Sequence, residues 1–426
     1  MPVQSLLSLR STQRGAASLL VTVLLCFAMV LAIAYANRNL VVEERASANQ
    51  YRAAQAFEAA EAGLEWSLAR LNDSDRIGAD CLPSGNLADL AHRERSLQIA
   101  PATGAITPVS WDDAGTPVPL QAACVREGAG WTCSCPATGL PNLPLPAGRA
   151  TAPAFNVAFS AGPRPGLVRV ASTGCTRSSG VCTPIAAAGH EASARLEAVF
   201  ALTPALRAVP AAALTARGQV DAGAAALGAH HRDASSGGLA VHAGGRIAGS
   251  ALRLTAPAGS ALGESLAADD PVLAALVGDR LFLRIFGMTK PAWLAQPAAT
   301  RVICSVDCAA TIAATIAAGA RLIWVEGELV LSGPQTLGAA NDPIALVATG
   351  PLRFDGAITI HGIVHGASLE WNDGAAPGAL VRGAAVIDGD YGGNATPDFA
   401  HDATVLSLLK TRAGSFTRVN GSWKDF

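Results

Sequence analysis

Lysine is almost missing from this chain, with only Lys290, Lys410 and Lys424 among 426 residues. The near-balanced charge, a formal net of -2, gives no sign of nucleic-acid binding, and the scarcity of lysine argues against a phosphate-binding enzyme and a basic membrane-surface patch. Aromatic residues make up 5% of the chain, so alanine and glycine carry much of its apolar fraction. No acidic residue occurs before Glu43, and Arg10, Arg14 and Arg38 are the only charged side chains there. Neither glycine nor proline occurs between Ala16 and Ala62, so nothing in that stretch interrupts a helix.

What fills that stretch is the apolar run Ala16–Ala36, AASLLVTVLLCFAMVLAIAYA. As a helix it spans about 31 Å, matching a hydrocarbon core of ~30 Å. Arginines before it favour a cytoplasmic N-terminus. Beyond Ala36 the pattern turns amphipathic, with Phe57, Glu61, Leu64, Leu68 and Leu71 at three- and four-residue spacing. One helix from Ala16 to Asn72 is predicted, about 85 Å long. Three readings fit the residues: an uncut signal anchor, a signal peptide cut after Ala34-Tyr35-Ala36, and a membrane rod that continues into a stalk.

The leader ending Gln13-Arg14-Gly15, the apolar helix from Ala16 and the stalk QAFEAAEAGLEWSLARLN resemble the N-terminal domain of PilX-type minor pilins of the type IV pilus. The resemblance covers roughly residues 13–72 and returns in the ending GSWKDF. It implies that prepilin peptidase cuts between Gly15 and Ala16 and methylates the new terminus. It further implies that the helix packs against other minor and major pilins at the pilus assembly platform. The protein would then lie in the bacterial inner membrane as a single-pass subunit, its bulk periplasmic, before reaching the pilus tip. Leu20 departs from the family, which usually has glutamate there to pair with a neighbour's free amine. An unpaired charge in lipid is costly, so a subunit without that carboxylate suits the tip.

Nine cysteines divide into Cys26 in the apolar run and eight beyond it. The eight read as disulfides of an oxidising compartment. Cys175–Cys182 and Cys304–Cys308 are the favoured pairs, while Cys81, Cys124, Cys133 and Cys135 allow three pairings. The spacing lacks the paired C-x-x-C of a zinc site.

The chain divides into a basic leader (1–15), a transmembrane helix (16–36), an amphipathic stalk (37–72), a disulfide-bearing loop region (73–154), a pilin-like β-meander (155–205) and a β-solenoid-like domain (206–426). The proline-rich end of the loop region, at Pro136, Pro141, Pro144 and Pro146, reads as an extended linker, and Trp111 and Trp131 as packing anchors. The fold class is therefore α+β: a long N-terminal helix, a small antiparallel sheet, then a mostly β domain with short helical insertions. In that last domain, blocks such as RLIWVEGELVLSG and GALVRGAAVIDGDY fit stacked rungs, with an irregular sandwich as the alternative. Helices are predicted over Asp269–Ile285 and Ala309–Ala318, and a closing helix over Asp402–Leu409 that caps the stack.

Chemistry-bearing residues are scattered. His361 and His365, four apart in a strand, share a face but lack a third ligand and read as solvated turn residues. Asp388, Asp390, Asn394 and Asp398 offer oxygens for calcium without a recognised loop spacing. His230, His231, Asp233, Ser235 and Ser236 lack a nucleophile elbow. No cofactor is expected, nor nucleic acid as a partner. The expected function is structural, not enzymatic: a minor pilin-like subunit that primes or caps a filament tip and displays its β domain, with adhesion as one use. The alternatives are a membrane-anchored periplasmic β-helix enzyme or carbohydrate-binding module, and a tip-type pseudopilin of type II secretion.

Overall fold

Arg14–Asn72 is a single α-helix, α1, about 88 Å long at ~1.5 Å per residue. The structure, a computed structural model, describes residues 14–78, 82–86, 88–109, 120–135, 137–138, 145–149, 151–177, 182, 190–223, 226–249, 252–304 and 306–426. Most of the leader, Cys81, Trp111, Pro136, Pro141 and Pro144 therefore fall outside the described residues.

The second half of α1 lies on an antiparallel sheet. Its strands are β1 (Leu120–Glu127), β2 (Gly130–Cys133), β3 (Ala152–Ala161), β4 (Leu167–Arg177) and β5 (His190–Pro204). Across the sheet the order is β5, β4, β3, β1, β2, with the strand Gly414–Arg418 added outside β5. This head is wider than the sequence reading of a meander at 155–205. It recruits β1 and β2 from the stretch read as loops, and Gly414–Arg418 and Lys424–Asp425 from the stretch read as solenoid. Pro204 pairs with Gly414, so everything between them is an insertion into the head, not a domain appended after it.

That insertion is a three-faced parallel β-solenoid. On the first face Ile323, Leu346, Val364, Ala385, Leu214, Val241 and Leu266 stand in one inward column. Leu329, Leu352, Leu369, Tyr391, Val220 and Ile247 form the column of the second face. Leu337, Ile360, Val381, Phe399, Ala229 and Leu254 form that of the third. All three columns share one order, and it is not chain order: the first rung in sequence stacks on the last. At that junction the Asp398 side chain occupies the space a Cβ on Gly228 would need, its Oδ1 only 1.8 Å from that position.

The faces differ in burial, and the sequence shows why. Strands of the second and third faces alternate, as in Leu352–Asp355 (LRFD) with Leu352 and Phe354 inward. Those of the first face, Leu322–Val325 (LIWV) and Ile344–Ala348 (IALVA), are buried at every position. A parallel sheet covered on both sides needs such unbroken apolar runs. The outer cover is helical: α3 (Pro271–Ala274), α4 (Arg280–Phe286), α5 (Lys290–Leu294) and α7 (Ala403–Thr411). Leu281, Phe282, Phe286, Trp293, Leu406 and Leu409 of these helices cluster with Trp324, Val347 and Ile363.

Two helical expectations change here. The helix expected over Asp269–Ile285 is two pieces, α3 and α4, separated around Gly278, which has φ 63°. The closing helix α7, capped by Asp402 on the amides of Thr404 and Val405, lies on the first face instead of capping the stack. The cap is α6 (Ala309–Ala317), whose Ile312 enters the solenoid core beside Val325 and Leu331.

The helix meets the sheet at very short range. A Cβ on Gly174 in β4 would lie 2.1 Å from the Ala56 carbonyl oxygen and 2.3 Å from the Ala60 nitrogen. Gly174→Val should therefore separate α1 from the sheet and cost the head about 3 kcal/mol. Denaturant unfolding followed at Trp66, which packs beside Phe155, measures this; an unchanged midpoint contradicts the close approach.

Candidate assembly surface

α1 has two halves with opposite surroundings. From Leu19 to Tyr51 its large apolar side chains are exposed, among them Leu24, Phe27, Val30 and Ile33. A contiguous apolar surface of this size is unstable in water and marks a lipid or protein contact. By length and composition, one helix among the described residues is apolar enough to cross a membrane, and it is α1. Gly15 and Ala16 lie in its first turns. Leu20 is 61% exposed and Cys26 is an exposed free thiol; both lie in this outer half.

The inner half presents a narrow stripe of small residues to the sheet. Ala56, Ala59, Ala60, Leu64, Ser67 and Leu71 are buried, whereas Glu61 is exposed and Phe57 and Leu68 are half-buried. The amphipathic face read from Phe57, Glu61 and Leu68 is thus rotated toward alanines. Small side chains let the backbones approach, which a count of large apolar residues does not register.

The end of α1 is clamped by polar groups that sequence reasoning did not single out. The Asn72 amide donates to the Phe416 carbonyl at 2.9 Å and accepts from the Phe416 N–H at 2.7 Å, as a neighbouring strand would. Arg93, in the short helix α2 (His92–Ser96), donates to the Leu71 carbonyl at 2.7 Å and the Gly414 carbonyl at 2.8 Å. The ending GSWKDF docks beside the helix. Trp423 meets Phe57 edge-on at 6.1 Å, Ser422 Oγ accepts from the Val199 N–H at 3.0 Å, and Arg418 pairs with Glu65. Asn72→Ala leaves both Phe416 backbone groups unpaired in a buried site, and should cost about 2–3 kcal/mol. Faster hydrogen exchange at Phe416 and in β5 is the readout.

Disulfides link Cys175 to Cys182, Cys304 to Cys308, and Cys124 to Cys133 across β1 and β2. Cys135 is also disulfide-bonded.

The four calcium candidates do not converge. Asp388 accepts from Lys290 at 2.7 Å and lies 3.3 Å from His365. Asp390 accepts from the Gln219 N–H at 2.8 Å, and Asn394 from the Asp373 N–H at 3.0 Å. Asp398 pairs with Arg253 at 2.7 Å and His230 at 3.1 Å. Despite burial, the adjacent His365 and the bond from Lys290 hold the Asp388 carboxyl below its ordinary pKa. Among the described residues no group of three His, Cys, Asp or Glu is arranged to hold a metal ion. Nor do His361 and His365 share a face: their strand turns a solenoid corner at Gly362. His365 is fully buried under Phe282 and Phe286, not a solvated turn residue.

The His230–Ser236 segment is ordered but is not a catalytic relay. Ser236 Oγ donates to Asp233 at 3.0 Å and lies 3.2 Å from His231 Nε2. A hydroxyl–imidazole–carboxylate relay needs the imidazole in the middle, and here the serine takes that place. His231 instead stacks on His401, ring centroids 3.9 Å apart, at the junction of the first and last rungs. Burial and the neighbouring His401 pull the His231 pKa down to about 4, overriding the opposite pull of Asp233. Burial also lowers His401, against Asp233 and Asp402. A folded-state pKa below the unfolded ~6.5 means the unfolded chain binds more protons between those values. Stability is therefore fully present above about pH 6.5 and falls as pH drops toward 4, by on the order of 2–3 kcal/mol from His231. His231→Gln should flatten the solenoid's stability profile in that window, measured by denaturant midpoints across pH.

No family model matches this chain, and no curated protein matches it. Among solved structures, the competence-associated pilin ComZ from Thermus thermophilus aligns over 88% of this chain and 97% of its own, at 12% identity and a TM-score of 0.21. At that score the superposition carries no argument, and the functional reading rests on α1 and its mount.

Proposed function

We propose that this chain is a pilin-like structural subunit of a type IV pilus assembly: a minor subunit of PilX type that primes or caps the filament tip. The observation carrying this reading is the division of α1. One half is seated on an antiparallel sheet by Asn72, Arg93 and a stripe of alanines. The other half leaves the protein with its apolar side chains bare.

In this reading the bare half first spans the inner membrane, N-terminus inward, with the head and solenoid in the periplasm. Prepilin peptidase acts at Gly15–Ala16, and the freed helix packs against the helices of other pilins. Leu20 offers no carboxylate to a neighbour's amine, which suits a terminal position. The solenoid is displayed, for adhesion among other uses, and is not a catalyst.

Mass spectrometry of the N-terminus is the test. Methylated Ala16 supports the proposal; an intact Met1 or a terminus at Asn37 overturns it. Gly15→Ala should abolish processing and reduce piliation while membrane insertion persists. Leu20→Glu should redistribute the subunit from tip to shaft, read by immunogold labelling along filaments.

A further inference from the structure

A cavity of about 420 Å³ lies where the head meets the solenoid, within the size range of small-molecule sites, about 300–1,000 Å³. Its walls come from three parts of the chain. Leu97 and Ile99, from a short strand paired with Ile106–Pro108, join the core between α1 and the head sheet; Leu322 belongs to the first face of the solenoid, and Leu408 to α7, just before the chain returns to the head. These four are almost fully buried, and Leu90, which also lines the cavity, is exposed, so the lining includes apolar surface.

The charges around it are unevenly matched. Arg321 pairs with Asp342, and the partly buried Arg76 lies 4.0 Å from the same carboxylate. Among the described residues Arg93 and Arg412 make no ion pair, although the carboxylates of Glu94 and Asp73, the latter paired with Arg70, also line the cavity. Among the described residues Arg93 bonds to the carbonyls of Leu71, Gly414 and Arg412, with the Phe416 ring 5.0 Å away. Carbonyl dipoles meet each of its nitrogens but leave its charge, and burial pulls its pKa down to about 10 despite the neighbouring Glu94. The exposed Arg412 side chain makes no hydrogen bond or ion pair among the described residues. A guanidinium short of counter-charge beside apolar wall favours an anion that brings an apolar body with it.

We propose that this cavity binds a small organic monocarboxylate, its carboxylate held by Arg93 and Arg412 and its apolar body against Leu97, Ile99, Leu322 and Leu408. The unbonded Arg412 offers the planar bidentate fork that an ammonium group cannot, while Arg93, each of whose nitrogens already donates to a carbonyl, contributes its charge and its remaining N–H groups. Such an occupant touches head, solenoid and the link between them at once. Binding the folded junction alone, it stabilises that junction by mass action. The proposal is independent of the assembly role.

The test uses the full chain in lipid nanodiscs, with 4-phenylbutyrate titrated by calorimetry against empty nanodiscs. Saturable one-to-one binding is expected. The neutral isostere 4-phenylbutanamide should bind about tenfold more weakly or worse, as should the carboxylate to Arg412→Gln. Because Arg412 is exposed and unbonded, that variant keeps its circular dichroism and melting behaviour. Absence of saturable binding up to about 1 mM, equal affinity for the amide, or unchanged affinity in Arg412→Gln overturns the proposal. Inorganic phosphate displacing phenylbutyrate at equal concentration also overturns it, since that would show an anion site with no use for the apolar walls.

Discussion

The pairing of β5 with Gly414–Arg418 governs the molecule. Phe200 to Pro204 lie antiparallel to Arg418 to Gly414, so the solenoid leaves and rejoins the head at neighbouring positions. Ends that lie side by side are served most directly by first and last rungs that lie side by side as well, since any other order needs a second connection along the stack. That is why the rung of Leu214 and Val220 stacks on the rung of Ala385 and Tyr391, not at an end of the stack. The two true ends of the stack are internal to the chain, one at Leu266 and the other at Ala299–Val302.

Those two ends have to be joined by a segment that travels the length of the solenoid. α3, α4 and α5 are that segment, and their course over the first face buries it on its outer side. The stabilisation is chiefly apolar. Phe282, Phe286 and Trp293 are each fully buried, worth about 1.5–3 kcal/mol apiece. An exposed pair such as Arg353 with Glu328 on the second face contributes about 0–1 kcal/mol. The Lys290–Asp388 bond is different in kind, since both partners are largely buried; it fixes the start of α5 against the corner that follows the first face.

Local features were legible in the sequence and long-range ones were not. The apolar run from Ala16 and the helix to Asn72 follow from composition and spacing. The blocks RLIWVEGELVLSG and GALVRGAAVIDGDY were legible as rungs of a stack, though not that one face alone would be covered twice. Short-range cysteine pairs such as Cys304 and Cys308 could be read from separation alone. The return of residues 414–425 to the head could not, because nothing local distinguishes GSFTR from another solenoid strand. Asn72, Arg93 and Gly174 escaped for a related reason: each matters through a partner far away in the chain, or through an atom it lacks. His365 was misjudged because the corner at Gly362 breaks the period of two on which face assignments depend.

The adjacency of Pro204 and Gly414 also makes the head self-sufficient in its connectivity. A tight turn joining those two residues would turn β5 and the following strand into an ordinary hairpin, leaving every other strand of the sheet and the seat of α1 in place. In connectivity the helix-bearing platform and the solenoid are thus distinct units of one chain that meet at one seam in the sheet, while side-chain bonds such as Arg76 to the Ala317 carbonyl also span them. Size, face pattern and number of rungs can vary on one side of that seam without altering the register of the sheet that carries the helix.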